Sequence, residues 1–293
     1  MAPKANLTKT ANIATTAREI DFVSRFSANW QGLREIAGIS RFIEKPNGTM
    51  LYTKTATVTL GTSPAEGDEI PYSLASVTAT PVGPLTIEKY GKGVSVEAIA
   101  DHGYDDAVAR TDAAFLNELQ GNVMDAFYTF ALTGTGNAGS GTFQAGLAKA
   151  RGVVLNYFKD NKLGVTATVA FVNIGDFFTY LGTADISTQT MFGLTYIQNF
   201  MGYSAVFLCS DGEIPSGKIV ATAVDNIVCY YINPANSEFA RAGLEFTVDG
   251  ELPLIGFHTE GNYHTAVSEN TALLGMKLFA EYLDGIAIAT VTP

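Results

Sequence analysis

The hydrophobic pattern begins near residue 18. Residues 1–17 show no period and carry Lys4 and Lys9 among several threonines, so they read as a mobile arm. From Arg18 onward, Ile20, Val23, Phe26, Trp30, Leu33, Ile36 and Ala37 fall on one helical face, and Gly38 marks a stop. The stripe predicts an amphipathic helix. It leaves open whether that face is covered by its own chain or by a neighbour.

The period then switches from helical to two. Thr53, Thr55, Thr57 and Thr59 alternate with Tyr52, Lys54, Ala56, Val58 and Leu60. Residues 61–69 form an acidic tip with Pro64 and Gly67, and residues 70–80 return as a second extended arm rich in Ser, Thr and Ala. Together they predict a long two-stranded hairpin of low hydrophobicity. An isolated ribbon is marginal in water, so it either lies on a partner or joins a larger sheet.

Pro81 and Pro84 mark the ribbon's exit, and residues 85–100 read as extended, with a bend at Gly91 and Gly93. Asp105 and Asp106 then suit a helix start. Val108, Phe115, Leu116, Leu119, Val123, Phe127 and Phe130 follow at helical spacing, and Gly134 closes the run. A helix of about 28 residues would be about 42 Å long, a beam for other parts to lie against. Residues 134–141 read as a flexible link. Residues 142–160 and 176–182 read as helices, and 166–172, 203–209, 218–224 and 227–232 as strands, which predicts an α/β block. Toward the end, 243–248 and 252–259 read as strands, and 272–283 with 285–292 as a hairpin turning at Asp284 and Gly285.

Composition narrows the function. With 47% hydrophobic and 16% charged residues the chain is globular, and its length allows one large domain or two modest ones. The net charge of −11 has the wrong sign for gripping nucleic acid by its phosphates. No run approaches the ~18–20 apolar residues of a membrane span. Cys209 and Cys229 sit in apolar strand-like runs and read as buried free thiols suited to a reducing cytoplasm.

Candidate chemistry is thin. Gly134, Gly136 and Gly139 match a dinucleotide-binding spacing, but they follow a helix rather than a strand, so the context fails. His258 and His264 flank Glu260, yet no cysteine or second close carboxylate completes a metal site. The pairs Asp105–Asp106 and Asp68–Glu69 read as solvated charge, and Lys54 as a soluble strand edge. No cofactor, metal or catalytic residue is expected. A cytoplasmic enzyme built on residues 142–232 and a monomeric binding module remain as rivals of other classes.

The stretch from Leu85 through Ile99 (LTIEKYGKGVSVEAI), with Tyr104–Asp112 (YDDAVARTD) and Leu116–Tyr128 (LNELQGNVMDAFY), resembles tailed-bacteriophage major capsid proteins of the Hong Kong 97-type fold. There, a strand of this look leads into a long spine helix. The resemblance implies an α+β capsid fold: an N-terminal arm and helix (1–45), an extended β-hairpin loop (46–82), a peripheral domain with the spine helix (83–137), an α/β axial domain (138–235), and return strands of the peripheral domain (236–293). It implies an icosahedral shell subunit that forms pentamers and hexamers with copies of itself and encloses double-stranded DNA without sequence-specific binding. Portal, scaffolding or decoration proteins of the same phage would be further partners. The location implied is a virion capsid assembled in the host bacterial cytoplasm, with no membrane involved. Because the family's extended loop lies across an adjacent subunit, intersubunit contacts are expected at Tyr52, Lys54, Thr57, Leu60, Glu66, Asp68 and Tyr72, and from the arm at Phe22, Phe26 and Trp30. An encapsulin-type nanocompartment shell enclosing cargo enzymes is the alternative. Many members begin with a long helical scaffolding segment that is cut away; here the pattern starts near residue 18, so a separate scaffolding protein, or none, is expected.

Overall fold

The computed structural model describes residues 18–19, 21–26, 41–165, 167–182, 189–191, 194–224 and 226–292, with the backbone alone for 53–57, 189–191 and 194. Residues 1–17, Ile20, Trp30, Leu33, Ile36 and Ala37 lie outside the described residues. In chain order the elements are helix α1 (21–26), then β1 (Arg41–Glu44), β2 (Met50–Thr59), β3 (Leu74–Pro84) and β4 (Glu88–Ser95). Helix α2 (Val96–Tyr104) passes through a π-helical turn (Asp105–Ala109) into α3 (Arg110–Ala131). Next come β5 (Gly136–Gly141), α4 (Phe143–Asp160), β6 (Thr168–Asn173), α5 (Ile174–Leu181), β7 (Gln189–Met191), β8 (Leu194–Gln198) and β9 (Ala205–Cys209). The chain ends with β10 (Lys218–Ala223), β11 (Ile227–Tyr231), α6 (Ser237–Arg241), β12 (Thr247–Val248), β13 (Ile255–Asn262), β14 (Val267–Leu274), β15 (Met276–Ala280) and β16 (Ile286–Val291).

A seven-stranded mixed sheet, in the order β5-β16-β10-β6-β9-β8-β7, separates two apolar cores. Alternation along each strand sends neighbours to opposite faces. Phe171, Val220 and Ile286 join the core that contains Phe127 and Tyr128 of α3. Ala170, Val172, Ile219, Ala221, Ala287 and Ala289 join the core under α4 and α5. Helix α4 starts where the Thr142 hydroxyl accepts from the Ala145 N–H (3.4 Å). It buries Leu147, Ala150, Val154 and Phe158, a helical stripe facing the sheet. Helix α3 does the same with Leu116, Leu119, Val123 and Phe127. A second sheet, β12-β13-β14-β4, packs against α1 and α3 through Phe257, Ala272 and Leu274. A third, β1-β11-β15, joins the same core through Cys229 and Leu278.

Four sequence expectations are corrected. Residues 134–141 are not a flexible link: β5 runs parallel to β16. A Cβ at Gly134 would lie 2.6 Å from Ile286, and one at Gly136 2.8 Å from the Asp284 and Ile286 carbonyls. Glycine is required there by close approach rather than by flexibility. Residues 272–292 are not a hairpin either. Strand β15 pairs with β11 and β16 with β10, two different sheets divided by a 3₁₀ turn at Leu283–Gly285. The last strand therefore leaves the region expected to hold return strands and enters the sheet otherwise built from residues 136–223. Residues 85–100 are extended only to Ser95, whose hydroxyl accepts from the Ala98 N–H and opens α2. Gly103 breaks that helix at φ 79°, ψ 165°, so helix restarts at the acid pair Asp105 and Asp106. Within residues 243–248, only Thr247 and Val248 pair as strand.

Candidate assembly interface

Strands β2 and β3 form a ribbon separate from the other three sheets. Its antiparallel register runs from Met50 opposite Pro84 to Thr59 opposite Leu74, with one irregularity at Leu51/Tyr52. The base is anchored. Leu51 and Leu85 are buried, the Gly48 N–H donates to the Leu85 carbonyl (2.8 Å), and the Leu85 N–H donates to the Thr49 carbonyl (2.9 Å). Beyond the base, residues 74–82 are all exposed.

The register sorts the ribbon into two faces. Tyr52, Val58, Ala75, Val77, Ala79 and Pro81 share one; Thr59, Leu74, Ser76, Thr78 and Thr80 share the other. Exposure reaches 62% at Val58, 66% at Val77, 75% at Leu60 and 97% at Tyr72. The tip is closed by the Gly61 N–H donating to the Ser73 hydroxyl (3.0 Å). A Cβ at Gly61 would meet the Pro71 carbonyl at 2.6 Å, so the closure needs glycine. Glu66, Asp68 and Glu69 crowd the tip, and no lysine or arginine occurs between Lys54 and Lys89. The result is an acidic, apolar-faced ribbon whose two edges present open backbone groups. Exposed apolar side chains such as Val58, Val77 and Tyr52 on one face mark an interaction surface, with Lys54 at a register position among them.

The structure brings Tyr52, Leu60, Glu66, Asp68 and Tyr72 together on this exposed ribbon. Lys54 and Thr57 occupy register positions opposite Ala79 and Ser76; their side chains lie outside the described set, as does Trp30. Phe22 and Phe26 are different. They are 2% and 1% exposed, and Phe22 packs on Phe257 of β13 with ring centroids 5.1 Å apart. The expectation that these two meet a neighbouring copy is corrected, because α3 and β13 of the same chain already cover that helical face. Ile70, Leu74 and Val77 are exposed on the ribbon and were missed. The alternation around residues 74–82 was the signal that could have found Leu74 and Val77.

Charged groups also tie the N-terminal helix to the body. The Arg18 guanidinium donates twice to the buried Asp112 carboxylate on α3 and reaches the Ser268 hydroxyl on β14 (3.5 Å). The Lys92 ammonium on β4 donates to the same carboxylate. Burial pushes the Lys92 pKa down, and the Asp112 carboxylate opposes that shift. Glu19, 1% exposed, accepts from the Thr259 N–H (2.6 Å) and the Thr247 hydroxyl (2.7 Å). Nothing in the sequence flagged this network, since Arg18 and Asp112 lie 94 residues apart.

The other candidate residues sit apart from the ribbon. Cys209 and Cys229 are free and buried, and burial pushes both thiols up. His258 lies 3.8 Å from Glu19 and 3.8 Å from Glu260, while His264 is on an exposed turn. Among the described residues, no group of three His, Cys, Asp or Glu side chains is arranged to hold a metal. No helix among them is long and apolar enough to cross a membrane.

This architecture is shared with shell subunits. The chain is similar to the mature capsid protein of bacteriophage PhiM1, at 8% identity over 88% of this chain and 86% of that one, TM-score 0.58. It is similar to the capsid protein of cyanophage P-SCSP1u, at 8% identity over 100% and 93%, TM-score 0.54. It is also similar to the SrpI encapsulin of Synechococcus elongatus PCC 7942, at 14% identity over 98% and 92%, TM-score 0.50. No sequence-family profile matches the chain, and no curated protein matches it. At these identities the likeness defines the fold: the chain has the α+β fold of phage capsid proteins, consistent with the Hong Kong 97-type fold that the sequence resemblance implied. The solved proteins sharing it are structural shell subunits rather than enzymes.

Proposed function

We propose that this chain is the major capsid subunit of a tailed phage, assembling through pentamers and hexamers into an icosahedral shell around double-stranded DNA. The exposed β2–β3 ribbon carries the proposal. It projects a largely apolar face and two strand edges that pair with no other strand among the described residues. A second copy supplies what is missing, by backbone pairing along an edge and by side-chain contact on the face. Tyr52, Lys54, Thr57, Leu60, Glu66, Asp68 and Tyr72 are its proposed contact residues. Each contact is modest, but a closed shell makes many at once, so it is far more stable than any pair.

The charge of −11 suits a wall that encloses DNA without adhering to it. Residues 46–82 serve as the extended loop, the segment around α3 as the peripheral spine, and the seven-stranded sheet with α4 and α5 as the axial domain. Portal, scaffolding or decoration proteins of the same phage are the further partners. The protein then resides in the virion after assembly in the host cytoplasm.

The likeness to an encapsulin supports a second reading, a nanocompartment shell around cargo enzymes. Contents separate the two. Particles purified from the native source and treated with nuclease retain a double-stranded genome if the chain is a capsid protein. Particles holding a protein cargo and no DNA would replace the phage reading with the encapsulin one.

A further inference from the structure

Asp112 lies at a junction the ribbon depends on. The ribbon ends at Pro84, passes through buried Leu85, and continues directly into β4. Among the described residues, strand β4 is the edge of its sheet, with a ladder to β14 and none on its other side. Its orientation against the helix therefore rests on side chains: Val94 packs with Ala107 and Val108 just before α3, and Lys92 donates to the Asp112 carboxylate and to the Val108 carbonyl (3.3 Å). Arg18 closes on the same carboxylate from the N-terminal helix.

The surroundings are unusual for a core. Lys92, Asn270 and Thr259 are direct register partners on three neighbouring strands, so they form one polar row on the sheet face that α3 and α1 cover. Both amide atoms of Asn270 and the Thr259 hydroxyl are buried without a hydrogen-bond partner among the described residues. Buried ion pairs gain little over well-packed apolar side chains, because desolvation offsets their attraction. Stability alone does not account for this row. Ion pairs differ from apolar contacts in fixing one geometry, since charges must meet at one point where apolar surfaces can slide.

We propose that Arg18, Asp112 and Lys92 are positioning residues that set the angle at which the β2–β3 ribbon leaves the body, and through it the curvature of the shell. The inference rests on the shell reading given under Proposed function. The triad locks β4 to α3 and to the N-terminal helix at once, so the ribbon is aimed the same way in every copy. Without the triad, β4 keeps its ladder to β14 and the apolar contact of Val94 with Ala107 and Val108, but loses the charged point that fixes one angle against α3.

The test replaces the three charges together with apolar groups of similar size, Arg18→Met, Lys92→Met and Asp112→Leu, which avoids stranding a lone buried charge. The expected variant folds and melts within about 5 °C of the native chain. Its β4 amides exchange with solvent about tenfold faster, while those of β6 and β10 are unchanged. By electron microscopy its particles spread over several diameters where the native chain gives one. Uniform particles of native diameter, native exchange in β4, or a variant that fails to fold would each overturn the positioning role. If the native chain itself forms no particles, the shell reading falls instead, and the exchange of β4 still decides whether the triad orients that strand.

Discussion

The β2–β3 ribbon and the seven-stranded sheet are made of the same element in opposite surroundings. Every residue of β6 is buried, whereas residues 74–82 of the ribbon are all exposed. Phe171 on β6 stacks on Phe207 at 5.1 Å and meets Phe127 edge-on at 5.4 Å. Tyr72 at the ribbon tip is 97% exposed. Backbone ladders form in both places, so hydrogen bonding does not separate them. Burial does, and burial supplies most of the net stability of folding. The sheet is completed within one chain, while no other strand among the described residues pairs with the ribbon.

Deletion of residues 55–75 should break the comparison most sharply. Far-ultraviolet circular dichroism and thermal melting of the shortened chain should remain those of a folded protein, while closed particles vanish from electron micrographs. Normal particles from the deletion would remove the ribbon from assembly.

Single substitutions sharpen the same contrast. Phe171→Ala should cost about 3–5 kcal/mol in urea unfolding, because it opens a cavity among three aromatic neighbours, Phe127, Tyr128 and Phe207. Val77→Ala should cost under about 0.5 kcal/mol in the isolated subunit. Tyr72→Ala should likewise leave the subunit's melting unchanged, yet raise the protein concentration needed for assembly roughly fivefold or more, as loss of an interface aromatic worth above ~1 kcal/mol does. Equal unfolding costs for Phe171→Ala and Val77→Ala would mean that the ribbon is packed on its own chain.

Thiol reactivity reads the sheet from the inside. Burial raises the pKa of Cys209 and Cys229 and blocks access, so a thiol-specific reagent at pH 8 should label neither in the folded chain and both in denaturant.

The smallest effect concerns Tyr90 at the start of β4, beside the ribbon base. Its hydroxyl donates to Glu88 at 2.7 Å, and that bond, with burial, pushes its pKa up to about 12. The folded state thus favours the neutral phenol. The contribution is complete below the unfolded value of 10 and is lost as pH rises from 10 to 12. Tyr90→Phe should flatten the fall of stability across that window; an unchanged slope would show that the bond adds nothing.

Much of the fold could be read from spacing. The stripes Leu116–Leu119–Val123–Phe127 and Leu147–Val154–Phe158 announced α3 and α4, and Thr-rich alternation announced the ribbon. What failed had physical causes. Strand β5 was hidden because its glycines report the closeness of Ile286, a residue about 150 positions away, and glycine in sequence looks like flexibility. Helix α2 is only nine residues long and buries none of them fully, so its short apolar face, with Ala98 and Ile99, is easily read as extended. The pattern of β16 identified a strand but not its partners, since alternation carries no information about which sheet receives it. Phe26 lay on the helical stripe and Phe22 beside it, yet a stripe could not say whose chain would cover it. The Arg18–Asp112–Lys92 network was invisible for the same reason: no local spacing links its members. The ribbon itself, though not its exposed Ile70, Leu74 and Val77, was legible because low hydrophobicity over a long alternating stretch is a local signal.

The size of the purified native protein tests the shell reading most directly, by light scattering in line with size exclusion and by negative-stain microscopy of the same fractions. Closed, uniform particles of megadalton mass are predicted. A monodisperse species near the 31.1 kDa of one chain, at every protein concentration and ionic strength tried, would contradict it.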